Sequence, residues 1–255
     1  MEIVLEAKGL SKTYAVGHKN EQQVLKNIDL QIKKGEFVSV MGPSGSGKST
    51  LLYSISGMDA TSGGTVVFNG QEISALTEKE LSRLRLNNMG FIFQHMHLLK
   101  NLSVIDNIIL SAYLANKSSR KRVNERAAEL MGKAGIAELA GNDITQASGG
   151  QLQRVAICRA LINYPDVIFG DEPTGALNSK SAGEIMDMLA DINASGTTIL
   201  LVTHDVKVAA KTDRVLFMLD GSIVAEQHLG KYRRDNDDSK DREELLSAWL
   251  KKMGF

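Results

Sequence analysis

Gly42-Pro43-Ser44-Gly45-Ser46-Gly47-Lys48-Ser49, followed by Thr50, has the spacing G-x-x-x-x-G-K-[ST], and the rest of the chain is read outward from it. It follows the apolar run Phe37-Val38-Ser39-Val40-Met41, a buried-strand pattern, and precedes a helical pattern from about Ser49 to Ser56. A strand, a glycine-rich turn and a helix in that order let backbone N–H groups converge on phosphate oxygens. Glycine suits the turn because convergence needs positive φ and close approach. The helix start adds the positive end of its dipole. Lys48 would then reach β- and γ-phosphates, and the Ser49 hydroxyl would ligate Mg2+. The plainer alternative is a Gly/Ser-rich turn with an incidental lysine. A chance match in a chain this long is on the order of one in a hundred, and the flanking elements lower that further.

A phosphate-binding loop does not separate the many nucleotide hydrolases, but Val167-Ile168-Phe169-Gly170-Asp171-Glu172-Pro173 narrows the choice. An apolar strand here delivers two adjacent carboxylates to its carboxyl end, where ligands bind in open α/β sheets. Successive residues project differently, so Asp171 can face Mg2+ while Glu172 faces an attacking water. Hydrolysis needs both: one acid for the metal, one to orient or deprotonate water.

Further strand signals fall at Ile3-Val4-Leu5, Val24 to Ile32, Thr65 to Phe68, Gly90 to Phe93, Thr198 to Val202 and Val215 to Leu219. Asn69-Gly70 marks a hairpin turn, and the polar stretch Ala15 to Gln23 reads as a loop. Helical patterns cover Thr77 to Leu86, residues 103–164 and residues 179–194. That order predicts an α/β core with an all-helical insertion at about 95–164, in a domain spanning 1–230. Residues 231–255 form an appendage. Lys231 to Arg242 is a dense mix of charges, expected as a solvated linker. Leu245, Leu246, Trp249, Leu250 and Met253 then recur at helical spacing, giving one apolar face to dock on the protein itself or on a partner.

Composition excludes several classes. Lys+Arg 30 balances Asp+Glu 30, so no net field favours nucleic acid. The one cysteine, Cys158, cannot form an intramolecular disulfide, which fits a reducing cytosol. MEIVLEAKGL carries Glu2 and Glu6 and lacks the basic and apolar regions of a signal peptide. No apolar run approaches the ~18 residues of a spanning helix, so any work on a membrane is expected to pass through another chain.

Between the two site motifs stands Ala147-Ser148-Gly149-Gly150-Gln151-Leu152-Gln153-Arg154. Ser-Gly-Gly-Gln before a helix reads either as an N-cap at Ser148 or as a second anion site. It resembles the signature motif of ABC ATPases, usually Leu-Ser-Gly-Gly-Gln, with Ala147 in the leucine position. About residues 3–225 fall into that family's order. The resemblance implies a P-loop NTPase fold of the ABC ATPase type, with an antiparallel β subdomain beside the core and the helical insertion. It also implies ATP with Mg2+ as ligands. Gly42 to Thr50, with Lys48, would hold the phosphates, and Tyr14 would stack on adenine. Ser49, Gln94 and Asp171 would surround the metal, Gln94 also sensing the γ-phosphate, which His204 would contact. Ser148, Gly149, Gly150 and Gln151 would close on the ATP of a second subunit.

The resemblance further implies an ATP-dependent head-to-tail pairing of two such domains, which one domain in this chain would complete most simply as a homodimer. It would sit at the cytoplasmic face of the cell membrane and drive an integral-membrane permease through the groove beside Gln94. His95-Met96-His97-Leu98-Leu99 would line that groove; the two histidines lack further ligands for a metal. Gly90 to Gln94, Leu102-Ser103-Val104 and Asp171 to Leu177 are similar to ATPases serving macrolide exporters and lipoprotein release. Ser179 to Ala182, on through Thr203-His204-Asp205, looks closest to bacitracin- and lantibiotic-resistance ATPases of Gram-positive bacteria. Those work with a large permease, often with a histidine-kinase sensor. The alternative is an ABC ATPase that regulates cell-wall remodelling or division through a membrane partner without transport. One position departs from the family: Asn178 stands where Asp is usual, which removes a charge near the dimer interface.

Overall fold

Phe37–Met41, Val167–Asp171 and Thr198–Val202 are apolar at nearly every position, as strands buried on both faces must be. In the computed structural model, which describes residues 2–17, 20–232 and 238–255, they form the middle of one sheet. In chain order the strands and α-helices are β1 (Ile3–Val16), β2 (Asn20–Lys33), β3 (Phe37–Met41), α1 (Lys48–Ile55), β4 (Gly63–Phe68) and β5 (Gln71–Glu72). Next come α2 (Glu78–Asn88), β6 (Met89–Phe93), α3 (Val104–Ala115), α4 (Arg120–Lys133), α5 (Gly149–Leu161) and β7 (Val167–Asp171). The chain continues with α6 (Ser179–Ala194), β8 (Thr198–Val202), α7 (Val206–Ala209), β9 (Arg214–Leu219), β10 (Ser222–His228) and α8 (Ser239–Lys252).

Among the described residues the strands build two sheets. The larger has the order β10-β9-β3-β8-β7-β6, parallel except for β10, which runs antiparallel to β9. The smaller is antiparallel with the order β2-β1-β4-β5. Alternate side chains of the parallel strands face opposite layers. Val38, Val40, Phe169, Leu200 and Val202 pack toward α1 and the antiparallel sheet, with Leu5, Leu25 and Phe68. Phe37, Ile168, Ile199 and Leu201 pack instead toward the helices between β6 and β8, meeting Ile157, Ile185 and Leu189. Cys158 is buried in that second layer, and burial pushes its thiol up to about 12, so it is an inert packing residue.

The register gathers the functional loops on one sheet edge. Phe93 pairs with Asp171, Asp171 with Val202, and Val202 with Val40. The carboxyl ends of β3, β6, β7 and β8 therefore lie side by side, and the segments leaving them start at Gly42, Gln94, Glu172 and Thr203. This is where an open parallel sheet binds ligands.

Three expectations need correction. Ala15 to Gln23 is not a loop: β1 reaches Val16, β2 starts at Asn20, and Ala15 pairs with Glu21. Ala15 and Glu21 are exposed there, so no apolar alternation marks the strands; His18 and Lys19 lie outside the described residues. The Lys231 to Arg242 linker ends too late, because α8 begins at Ser239; residues 233–237 lie outside the described residues. Arg242 is buried within that helix, and its guanidinium donates to the carbonyls of Ala210 (2.7 Å), Thr212 (2.8 Å), Leu229 (2.9 Å) and Gly230 (3.1 Å). Four backbone acceptors satisfy the charge that composition alone assigns to solvent. The apolar face of α8 docks on the protein itself. Leu246 and Leu250 are buried against Met41, Ala209 and Phe217, and Trp249 meets the Phe217 ring edge-on at 6.1 Å. Leu245, expected on that face, is half exposed.

The Asn69-Gly70 turn forms as expected: both residues have positive φ (48° and 77°), and Phe68 pairs with Gln71.

Candidate active site

Between β3 and α1 the chain must turn beneath the end of β9 without a side chain in the way. A Cβ on Gly42 would fall 2.0 Å from the Met218 carbonyl oxygen, and Gly47, which precedes α1, has φ 98°. Only glycine meets both demands cheaply. The Lys48 ammonium folds back over this loop and donates to the carbonyls of Gly42 (2.8 Å) and Pro43 (2.9 Å). Burial lowers its pKa, and the carboxylates of Glu172 and Asp171 oppose the shift. An open cleft of about 440 Å3 lies over the loop, lined by Ser44, Gly45, Gly47 to Thr50, Glu172 and, from β2, Gln22 and Val24.

Asp171 ends β7 beside the first turn of α1. Ser49 donates to its Oδ1 (2.9 Å), and Tyr53 donates to its Oδ2 (2.5 Å). Glu172 then leaves the strand with φ 47°, a left-handed backbone that a non-glycine residue adopts only where its surroundings hold it. Here its N–H donates to the Val202 carbonyl (3.0 Å), and its own carbonyl accepts from the Gly175 N–H (3.0 Å). This twist separates the two adjacent carboxylates: Asp171 faces α1, while Glu172 Oε1 lies 3.1 Å from His204 Nδ1. Gln94 meets the same spot, since a Cβ on Gly175 would lie 3.0 Å from Gln94 Nε2 and 3.2 Å from Glu172 Oε2. The His204 side chain remains largely exposed.

Tyr14 stands on β1 at the rim and is partly exposed. Its hydroxyl hydrogen-bonds Asp59, and Lys12 Nζ sits 4.6 Å from its ring centroid while also donating to Asp59 at 2.6 Å. Sequence reasoning missed Lys12, Asp59, Gln22 and Tyr53. The first two are 47 residues apart, so no local spacing links them.

Ser148, Gly149, Gly150 and Gln151 do not line the cleft over the loop. They start α5 in a capping box: the Gln151 N–H donates to Ser148 Oγ (3.3 Å), and the Ser148 N–H donates to Gln151 Oε1 (2.8 Å). Gly150 packs against Ser181, and Asn178 caps α6 by accepting from the Ser181 N–H (2.9 Å). An amide oxygen caps a helix as a carboxylate does, so the start of α6 needs no charge at Asn178. His97 stacks edge-on against Phe93 at 5.3 Å, and no group of three or more His, Cys, Asp or Glu side chains is placed to hold a metal ion among the described residues.

A glycine loop at the end of a parallel strand, with an acid pair on the neighbouring strand, defines a P-loop nucleotide hydrolase. The comparisons place it more closely. The family model described as ABC transporter matches residues 25–175. The chain is 43% identical over 232 residues to the bacitracin export ATP-binding protein BceA of Halalkalibacterium halodurans, covering 91% of both chains. It is also 43% identical over 223 residues to the macrolide export ATP-binding/permease protein MacB of Nitrosomonas europaea, covering 88% of this chain but 34% of that one. The chain thus spans about a third of the length of the macrolide-export relatives it matches. Among solved structures, the dimeric post-hydrolysis state of the ATP-binding cassette MJ0796, bound to ADP and Pi, matches with TM-score 0.82 and 38% identity. That match covers 89% of this chain and all of the other. The chain belongs to the ABC transporter ATP-binding family and is an ATPase of that fold.

Proposed function

We propose that this ATPase powers a membrane permease that protects the cell against peptide antibiotics of the bacitracin or lantibiotic type. The observation that carries the reading is the match to BceA, covering 91% of each chain, where the match to MacB covers 34% of that protein. No described helix is long and apolar enough to cross a membrane, so the membrane spans of that permease would lie outside the described residues. A cleft of about 400 Å3 lined by Phe91, Phe93, His97, Arg85, Arg159 and Met58 supplies a mostly apolar groove in which a permease helix could seat. The protein would then work at the cytoplasmic face of the membrane, with a histidine-kinase sensor reaching it through the permease.

The chemistry follows from the residues. Ser49 and Asp171 bring two hard oxygen ligands together, as an Mg2+ site requires, and Gln94 holds an amide beside Glu172. Bound there, the ion would offset the charge of the β- and γ-phosphate oxygens. Lys48 would place its ammonium against those oxygens, in exchange for the loop carbonyls it now holds. Tyr14 would stack on adenine. Glu172 would orient the attacking water and accept its proton, and His204 would hold that carboxylate while reaching the γ-phosphate. Ser148 to Gln151 lie away from the loop, so a second copy would bring them to each ATP, in a homodimer closed by nucleotide.

Deleting the gene in its host should lower the inhibitory concentration of bacitracin or a lantibiotic. The parent gene should restore it, and the Glu172→Gln form should not. Unchanged sensitivity to every peptide antibiotic tried would reject the substrate class.

A further inference from the structure

Asp171 is bound at both oxygens by the same helix. Ser49 and Tyr53 stand four residues apart on α1, so their hydroxyls share one face, and that face meets the end of β7. Ser49 takes Oδ1 (2.9 Å) and Tyr53 takes Oδ2 (2.5 Å), the short contact of a hydroxyl donating to a carboxylate. With both oxygens tied, the carboxylate cannot turn about its own axis, and its plane is registered to the helix that begins at the phosphate loop.

We propose that Tyr53 is a positioning residue for the metal site: its hydroxyl fixes the far oxygen of Asp171 so that the near one stays aimed at the point it shares with Ser49. This rests on the reading that Ser49 and Asp171 hold Mg2+. The groups behind a liganding carboxylate set its orientation and basicity, and losing one costs metal affinity about 10–100-fold. A tyrosine hydroxyl ordinarily keeps its proton throughout the neutral range, so it can donate here. The ring has a separate task. It packs against the core layer between the sheets, and the Tyr53 carbonyl accepts from the N–H groups of Met58 (2.9 Å) and Asp59 (3.1 Å). Tyr53→Phe keeps the ring and the backbone bonds and removes the hydroxyl alone.

The test is Mn2+ titration of the ADP-loaded protein, followed by electron paramagnetic resonance, beside ADP binding measured in EDTA. Tyr53→Phe should weaken Mn2+ binding about tenfold or more, with ADP affinity in EDTA within about twofold of the parent. Mn2+ affinity within about twofold of the parent would overturn the proposal. So would an equal loss of ADP affinity in EDTA, because Tyr53 would then support the phosphate loop and not the metal. Ser49→Ala and Asp171→Asn separate the two levels. Mn2+ affinity unchanged in both would overturn the metal assignment, and the role of Tyr53 with it. A loss in both, without one in Tyr53→Phe, would leave the metal assignment standing and remove Tyr53 from it.

Discussion

Glu172→Gln protein is expected to bind ATP as the parent does and to hydrolyse it about 10²–10⁴-fold more slowly. The change keeps the side chain's size and an oxygen that can face His204, 3.1 Å away in the parent. The left-handed backbone at Glu172 is held by bonds through its own N–H and carbonyl, which the substitution leaves in place. What is lost is the capacity to take a proton from water. Phosphate release and ATP binding, measured on one preparation, separate the two effects. Turnover within about threefold of the parent would remove Glu172 from the role of base. Because the ATP state would persist, this variant should also accumulate as the closed dimer, visible by light scattering after size exclusion.

Lys48→Ala should act at the earlier step. The ammonium is buried, and charge-assisted hydrogen bonds to it are worth about 1.5–3 kcal/mol each, so nucleotide affinity should fall about tenfold or more. The loop itself should survive, because its shape rests on the glycine backbone at Gly42 and Gly47 and on the packing beneath Met218. Calorimetric titration with ATP, alongside a melting curve, makes the comparison. Unchanged affinity in a folded variant would break the assignment of Gly42 to Ser49 as the phosphate cradle.

Features that depend on neighbouring residues were legible in the sequence. The strand–glycine–helix run at 37–56, the acid pair ending β7 and the Asn69-Gly70 turn each carry their meaning within a few positions. Ser148 reads doubly, and its capping box adds a structural task to the one the signature motif implies. Features set by tertiary partners were hidden. Tyr53 meets Asp171 across 118 positions, and Arg242 meets the Ala210 carbonyl across 32, so neither partner can be read from spacing. The outer hairpin of β1 and β2 and the edge strand β10 were missed for another reason. An edge strand exposed to water needs no apolar alternation, and the pattern fades where burial stops. The twist at Glu172 is likewise invisible in Asp-Glu-Pro, although it is what separates one acid from the other.

The measurement that bears most directly on a transport-coupled ATPase is capture of membrane partners. Tagged Glu172→Gln protein, retrieved from native membranes with ATP, should bring down a large permease bearing a sizeable extracellular domain, identified by mass spectrometry, with or without an accompanying histidine kinase. Retrieval of a small four-helix membrane protein would instead favour regulation of cell-wall enzymes, and retrieval of no membrane protein at all would contradict the account.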